Sequence, residues 1–204
     1  MAVSTSSRDY LTKLKATIDS VDPAVIDSCV EVIRNAWLRG RQVIACGNGG
    51  SAMTALHFIN DWSKSISRHN GRAFRGRTLL DNIGMLTAYA NDISYDDIFS
   101  EQLRHTAEPG DVLIAISGSG NSENVVRAVV VANEMGCETL GLCGFNGGKL
   151  RQLAKHVVWV EIDDMQISED LHAIFGHIVM QRLCGGIALV APRRRDALAE
   201  VVTT

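Results

Sequence analysis

The chain has 204 residues, of which 46% are hydrophobic and 21% charged, so one folded domain is expected and global disorder is excluded. The net charge is -3 and no basic run exceeds Arg193-Arg194-Arg195, which argues against a broad nucleic-acid-binding face. Five scattered cysteines without CxxC spacing indicate neither a disulfide framework nor a zinc-thiolate site. Because no signal core and no apolar run of about 18 residues is present, we expect a cytoplasmic protein without a membrane segment.

Helical periodicity opens the chain, with apolar residues recurring over 8–39 and a break at Asp22-Pro23. A buried strand is predicted at 42–46, then a glycine loop, a helix over about 51–65 and a polar connection over 66–77. Further strands are predicted at 78–80, 112–116, 138–142 and 157–162, and further helices at 83–90, 95–107, 122–135, 149–154 and 168–190.

Strands that alternate with helices predict an α/β fold with a mostly parallel sheet and helices on both faces. We expect an N-terminal helical segment over 1–40, an α/β domain over 41–190 and a charged C-terminal tail over 191–204. Cys46 and Cys143 adjoin apolar runs, so they are predicted to be small core residues.

Two loops of similar composition each follow a predicted buried strand and precede a predicted helix. They are Gly47-Asn48-Gly49-Gly50-Ser51 and Ser117-Gly118-Ser119-Gly120-Asn121-Ser122. Glycines let the backbone approach a ligand closely, and backbone N–H groups at a helix start face an anion. The hydroxyls of Ser117, Ser119 and Ser122 favour a monophosphate over the alternative of a plain surface turn.

A dinucleotide site is a weaker interpretation of the first loop. Its third fingerprint position is Ala52, an allowed variant, but the acidic residue after the next strand, Asp81, comes about 30 residues on rather than about 20. The second loop lacks the lysine of a nucleotide-binding P-loop, so ATP binding is weaker still.

Two pairs of ionisable residues fall on predicted helices. His57 and Asp61 are spaced i, i+4 and share a helix face, and Glu169 and His177 lie eight residues apart on the last helix. Together the four groups could ligate a divalent metal or act as an acid/base set. Solvated or structural helical side chains are the alternative for each of them.

The ordered motifs of the chain resemble those of the sugar isomerase (SIS) domain family, and more narrowly of its phosphoheptose isomerases. They are Gly47-Asn48-Gly49-Gly50-Ser51, His57-Phe58, Ala90-Asn91-Asp92, Ile116-Ser117-Gly118-Ser119-Gly120-Asn121-Ser122 and Gly147-Gly148-Lys149. The resemblance covers about residues 8–187. It implies a three-layer α/β/α sandwich, a homotetramer, and isomerisation of sedoheptulose 7-phosphate to a glycero-manno-heptose 7-phosphate.

The same resemblance implies roles for individual residues. The phosphate would be held by Ser117, Gly118, Ser119 and Ser122, and the rest of the sugar by Asn48, Gly49, Gly50, Ser51, Asn91, Asp92 and Glu169. Asp61 and His177 would be the catalytic acid/base pair. Zinc (Zn2+) would be bound by His57, Asp61, Glu169 and His177.

This chain departs from the family pattern at two of these positions, where Asp61 stands for a glutamate and Glu169 for a glutamine. A family arginine also has no clear match, although Lys64 is nearby. Loss of one methylene shifts a proton-transfer or metal distance. Two alternatives therefore stay open: an isomerase of a different sugar phosphate, and a non-catalytic SIS protein that binds a sugar phosphate or a protein such as the replication initiator.

Overall fold

The computed structural model of the protein describes residues 6–185, in which eight α-helices and five strands are found. The helices are α1 (Ser7–Ser20), α2 (Pro23–Leu38), α3 (Gly49–Asn70), α4 (Ile83–Asp92), α5 (Ser100–Thr106), α6 (Glu123–Glu134), α7 (Gly148–Leu153) and α8 (Met165–Leu183). The strands are β1 (Val43–Gly47), β2 (Gly76–Thr78), β3 (Val112–Ser117), β4 (Glu138–Cys143) and β5 (His156–Trp159). None of these helices is long and apolar enough to cross a membrane.

The five strands form one sheet in the order β2-β1-β3-β4-β5, and every neighbouring pair is parallel. The predicted α/β class is thereby confirmed. The chain goes from β1 outward to β2 and then returns to β3, so β1 and β3 flank the point where the strand order reverses. Ligands of such sheets bind outside the carboxyl ends of the strands at this point. The two glycine-serine loops leave β1 and β3 at that place.

Helices cover both faces of the sheet, which confirms the three-layer sandwich. Along β1, Val43 and Ala45 pack into the core formed with α2, α3 and α8. Ile44 and Cys46 point to the other face and pack with α5, α6 and α7. Cys46 and Cys143 are buried, and burial raises the pKa of both thiols to about 12, so both are core residues as predicted.

The N-terminal helices follow the predicted break. Asp22 is the N-cap of α2, where its side chain accepts a hydrogen bond from the Ala24 N–H at 2.8 Å, and Pro23 occupies the first turn. α2 then buries Ile33 and Trp37 against the sheet. The segment is therefore packed onto the same core as α3 and α8.

The structure corrects the predicted helix after the first loop and the strand that follows it. α3 continues to Asn70 because Ile66 extends its buried face, and the helix ends at Gly71 in the left-handed region (φ 65). The polar connection therefore starts at residue 71, five residues later than predicted. β2 is Gly76–Thr78 rather than 78–80, since the N–H and hydroxyl of Thr78 both donate to the Asp81 carboxylate and turn the chain.

Two other predicted helices have different bounds. The helix expected over 95–107 is a 3₁₀ helix, Tyr95–Asp97, followed by α5, because the Ser94 side chain caps the first piece by accepting from the Asp96 N–H. α8 starts at Met165 rather than 168, since Asp164 caps it by accepting from the Ile167 N–H. Residues 186–190 of the predicted last helix, and the tail 191–204, lie outside the described residues.

Candidate active site

The serine loop ends β3 and leads directly into α6. Ser117 is buried, with 4% of its surface exposed, and its hydroxyl oxygen lies 3.1 Å from that of Ser122. The Ser119 hydroxyl accepts a hydrogen bond from the Asn121 N–H at 3.2 Å. Ser122 is the N-cap of α6 but makes no side-chain cap hydrogen bond, so its hydroxyl stays on the loop side. Hydroxyls and a helix start at one place are suited to a phosphate.

The Gly147-Gly148-Lys149 segment at the start of α7 packs against the serine loop. Gly120 has φ 68, and a Cβ on it would overlap the Gly147 carbonyl. The Leu150 N–H donates to the Gly120 carbonyl at 2.9 Å, and the Lys149 N–H donates to the Asn121 side-chain oxygen at 3.1 Å. The Gly147-Gly148-Lys149 motif therefore supports the loop through backbone contacts that only small residues allow.

α3 and α8 lie side by side and meet most closely near Gly176. A Cβ there would overlap the Phe58 ring, and the Trp62 indole N–H donates to the Gly176 carbonyl at 2.9 Å. Phe58 also stacks on Trp62, with the ring centroids 4.9 Å apart. This contact fixes the two helices relative to each other one residue away from both His57 and His177.

The contact between α3 and α8 brings three of the predicted ionisable residues together. His57 Nε2 is 3.1 Å from Asp61 Oδ2, and the His57 and His177 rings are 5.2 Å apart between centroids. One ligand atom from each of His57, Asp61 and His177 lies within 4.8 Å of the others. The side chains of His57 and Asp61 are 45% and 26% exposed. We call these three residues the His-Asp-His group.

Glu169, the fourth predicted metal ligand, is not part of that group. It lies nearer the N-terminal end of α8, beside the start of α3. A carboxylate oxygen of Glu169 would be 2.5 Å from a Cβ added to Gly50. Eight residues separate it from His177, which is about 12 Å along a helix at 1.5 Å per residue. Both its contact to the sugar and its role as a metal ligand stay predictions.

Asn91 and Asp92 end α4 and are exposed, with the Asn91 side-chain N–H donating to Asp92 at 2.8 Å. Within residues 6–185, no hydrogen bond joins either of them to the two loops. α4 does face the first loop across a cavity of about 260 Å³. Its lining includes Asn48, Gly49, Thr87 and Ala90. The Asn-Asp motif directly follows Ala90, which lines this cavity, and its contact with the sugar stays a prediction.

The first loop and the 3₁₀ helix are held by three residues that were not identified from the sequence, namely Asn124, Tyr95 and Arg127. Asn48 exchanges hydrogen bonds with Asn124 of α6 and accepts one from the Tyr95 hydroxyl. The Arg127 guanidinium donates to both oxygens of Asp97 at 2.9 and 2.8 Å, and this bond holds the pKa of Asp97 below its usual range. No spacing in the sequence links residues so far apart.

His172 is a further buried residue next to the site. Its ring is fully buried on α8, and within the described chain neither ring nitrogen makes a hydrogen bond of good geometry. Burial lowers the pKa of His172 to about 4, although the nearby Cys143 carbonyl opposes that shift. The ring is therefore neutral at neutral pH and packs as an uncharged group.

Comparisons with known proteins agree with the fold and the motifs. A family model described as SIS domain matches residues 8–144. A probable phosphoheptose isomerase of Thermoplasma volcanium is 36% identical over 171 residues, which are 84% of this chain and 87% of that protein. A phosphoheptose isomerase of Aliarcobacter butzleri is 38% identical over 152 residues, 74% and 78% of the two chains. The solved phosphoheptose isomerase GmhA of Neisseria gonorrhoeae superposes with a TM-score of 0.80 at 26% identity, covering 87% of this chain and 96% of that one.

Proposed function

This chain belongs to the SIS domain family, and we propose that it is a phosphoheptose isomerase that interconverts sedoheptulose 7-phosphate and a glycero-manno-heptose 7-phosphate. One observation supports this most strongly. The contact between α3 and α8 collects His57, Asp61 and His177 within 4.8 Å, in the same chain that carries a phosphate-suited loop at the point where the strand order reverses. A binding protein without chemistry would not need that group.

The proposed reaction is aldose–ketose isomerisation through an enediol. A base removes the proton on the carbon next to the carbonyl, and an acid gives a proton to the carbonyl oxygen. We assign these roles to Asp61 and His177. His57, 3.1 Å from the Asp61 carboxylate, orients that carboxylate. The geometry supports the pairing of Asp61 with His177. Asp61 lies on α3 and His177 on α8, and the contact between Phe58 and Gly176 fixes the separation of these two helices.

The donor set of the His-Asp-His group fits a zinc ion, since two imidazole nitrogens and a carboxylate oxygen are common zinc ligands. His57, Asp61 and His177 would hold the metal through one atom each, so the second Asp61 oxygen and the second His177 ring nitrogen would be the atoms free for proton transfer, and the bound metal would polarise the substrate carbonyl. Metal analysis of the purified protein tests this directly: we expect about one zinc per chain, and loss of it in His57→Ala. Wild-type protein that retains no metal after equilibration with zinc would contradict the assignment.

The binding roles follow from the same placement. We propose that Ser117, Ser119 and Ser122 hold the phosphate, with Gly118 giving the ligand backbone access. The sugar would lie along the first loop, Asn48 to Ser51, towards Glu169 and the Asn91-Asp92 motif. Glu169 is already positioned against Gly50 and can accept hydrogen bonds from sugar hydroxyls.

We also propose a homotetramer that works in the cytoplasm. Large apolar side chains are exposed on α3 and at both ends of α4, among them Met53 at 65%, Ile83 at 72% and Ile93 at 56%, and we propose that contacts between copies of the chain cover them. Light scattering after gel filtration tests the assembly, and a mass of one chain would contradict it. Cell fractionation tests the location.

The activity is tested by incubating the purified protein with sedoheptulose 7-phosphate and following aldose formation by NMR, with and without a chelator. We expect turnover that the chelator abolishes and zinc restores. Absence of turnover in zinc-loaded protein would contradict the proposed substrate. In that case a panel of other sugar phosphates separates the two alternatives, because an isomerase of another sugar turns one of them over and a binding protein turns over none.

A further inference from the structure

Asn124, the second residue of α6, lies between the two loops of the site. It is buried, with 1% of its surface exposed, and it faces Asn48, the second residue of the first loop. The Asn48 amide donates to the Asn124 carbonyl oxygen at 2.8 Å, and the Asn124 amide donates back to the Asn48 carbonyl oxygen at 3.0 Å. The Val125 N–H also donates to the Asn124 oxygen, at 2.9 Å. The pair of Asn48 and Asn124 therefore connects the first loop to α6, the helix that follows the serine loop.

Tyr95 completes this network from the 3₁₀ helix. Its hydroxyl donates to the same oxygen of Asn48 at 3.0 Å. That oxygen has two lone pairs, so the two hydrogen bonds use both of them. Arg127 in turn holds the 3₁₀ helix on α6 through its two hydrogen bonds to Asp97. Both lone pairs of the Asn48 oxygen and one of its two amide N–H groups are thus used by protein partners, so the side chain acts as a tether and has its second amide N–H for the sugar.

The tether has a consequence for α3. Asn48 occupies the N-cap of α3, a position where asparagine side chains commonly bond to the first-turn N–H groups. Here the side chain makes no cap hydrogen bond, because it is turned towards Asn124 and Tyr95. The start of α3 is therefore left without a side-chain cap on the side where Glu169 and the first loop meet.

We propose that Asn124 is a positioning residue that fixes the side chain of Asn48. It thereby sets the position of the first loop and of the uncapped start of α3 relative to the serine loop. The inference rests on the proposed function, in which one substrate spans both loops. A shift of about 1 Å in a substrate-positioning group can lower the rate about 100-fold. Asn124 would then act on the reaction without touching the substrate.

The kinetic test compares Asn124→Ala, Asn48→Ala and the double variant. We expect each single change to lower kcat/KM about 10- to 100-fold. The kcat/KM of the double variant should be no lower than that of the less active single variant. Competitive inhibition by inorganic phosphate should stay within about threefold of wild type, because the serine hydroxyls are intact. Asn124→Asp keeps the acceptor for Asn48 and Val125 but replaces the amide that donates to the Asn48 oxygen, 3.0 Å away, by a second acceptor oxygen, so it should not recover the activity.

Asn133→Ala is the matched control. Asn133 lies on the same helix and is also hydrogen-bonded through both ends of its amide, to the Leu153 carbonyl and the Thr139 hydroxyl. It is far along α6 from the loops, so its loss should leave kcat/KM near wild type. Effects of Asn124→Ala and Asn48→Ala that multiply in the double variant, or an Asn133→Ala effect as large as that of Asn124→Ala, would overturn the proposal.

Hydrogen exchange provides a test that needs no turnover. In Asn124→Ala, amides of residues 47–52 should exchange at least about tenfold faster, while Tyr95→Phe, which removes one hydroxyl, should give a smaller increase. Asn133→Ala should leave this segment unchanged. Unchanged exchange over 47–52 in Asn124→Ala overturns the inference. Wild-type protein that fails to convert sedoheptulose 7-phosphate contradicts the proposed function instead, and the exchange experiment still decides the role of Asn124.

Discussion

The two parts of the candidate site differ in how the fold holds them. The loop part is anchored by buried groups: Ser117 and Asn124 are 4% and 1% exposed, and Gly120 lies against the backbone of Gly147. The His-Asp-His group stands on the surface of α3 and α8, where the His57 side chain is 45% exposed. Rigid backbone groups suit a constant feature of the substrate, its phosphate. Exposed side chains suit chemistry that a metal, the substrate or another copy of the chain completes.

The difference predicts that the two parts fail in different ways. Changes in the serine loop should weaken binding with little effect on the chemical step, since they act on the phosphate. Changes in the His-Asp-His group should slow the chemical step with little effect on binding. Changes to the contact between α3 and α8 should affect both the chemical step and folding.

The largest effect is expected from His177→Ala. Loss of a general acid or base commonly costs about 10²- to 10⁴-fold in rate, so we expect kcat to fall about 1000-fold with KM within about threefold of wild type. Steady-state kinetics with sedoheptulose 7-phosphate measure both values. His105→Ala removes an exposed histidine of α5 and is the control. Unchanged turnover in His177→Ala would rule out this mechanism.

The next effect is expected from Ser117→Ala combined with Ser119→Ala. Removal of two hydroxyl donors from the phosphate should raise KM about 100-fold, at about 1.5 kcal/mol for each hydrogen bond to a charged group, and leave kcat nearly unchanged. Ser28→Ala, on the exposed side of α2, is the matched control. A fall in kcat with KM unchanged would mean that this loop does not hold the phosphate.

Gly176→Ala tests the contact that joins α3 to α8. The added methyl overlaps the Phe58 ring, so the helices must move apart. We expect a loss of about 1–3 kcal/mol in the free energy of unfolding, together with a lower kcat, because His57 and His177 separate. Gly84→Ala is the control, since a Cβ on that helical glycine meets only the Asn82 side chain at 3.2 Å. Equal stability of the two variants would contradict the close contact.

The smallest effect is a pH dependence of stability from His172. Its pKa is about 4 in the folded chain and about 6.5 when unfolded, so between these values the unfolded chain binds the extra proton. Stability from this group is therefore fully present above pH 6.5 and is lost as pH falls towards 4, by about 1 kcal/mol between pH 6.5 and 5.5.

His172→Leu removes the titrating group behind that pH dependence. Urea unfolding of wild type and variant at pH 7.5, 6.5 and 5.5 should show a shallower decline for the variant. The other ionisable groups are the same in both proteins, so their contributions cancel in the difference. Parallel declines would show that His172 is not buried as a neutral ring.

Most of the fold could be predicted from the sequence because hydrophobic periodicity and the strand-loop-helix order are local signals. Strand β3 and the serine loop are examples. The end of α3 could not, since Ile66 continues the helix through contacts with the core rather than through a local signal. The position of Glu169 also depends on how α8 packs on Gly50, which no spacing reveals. The same is true of Asn124, whose partner lies 76 residues away in the chain.

The separation of binding from chemistry is tested most directly by calorimetric titration of sedoheptulose 7-phosphate into two variants, with the zinc content of each variant measured. His177→Ala should bind with an affinity within about threefold of wild type while its turnover is lost, since it removes a group that acts in the transition state. The Ser117→Ala, Ser119→Ala double variant should bind about 100-fold more weakly, as its KM predicts. Loss of affinity in His177→Ala equal to that in the serine variant would contradict the assignment of separate roles to the two parts of the site.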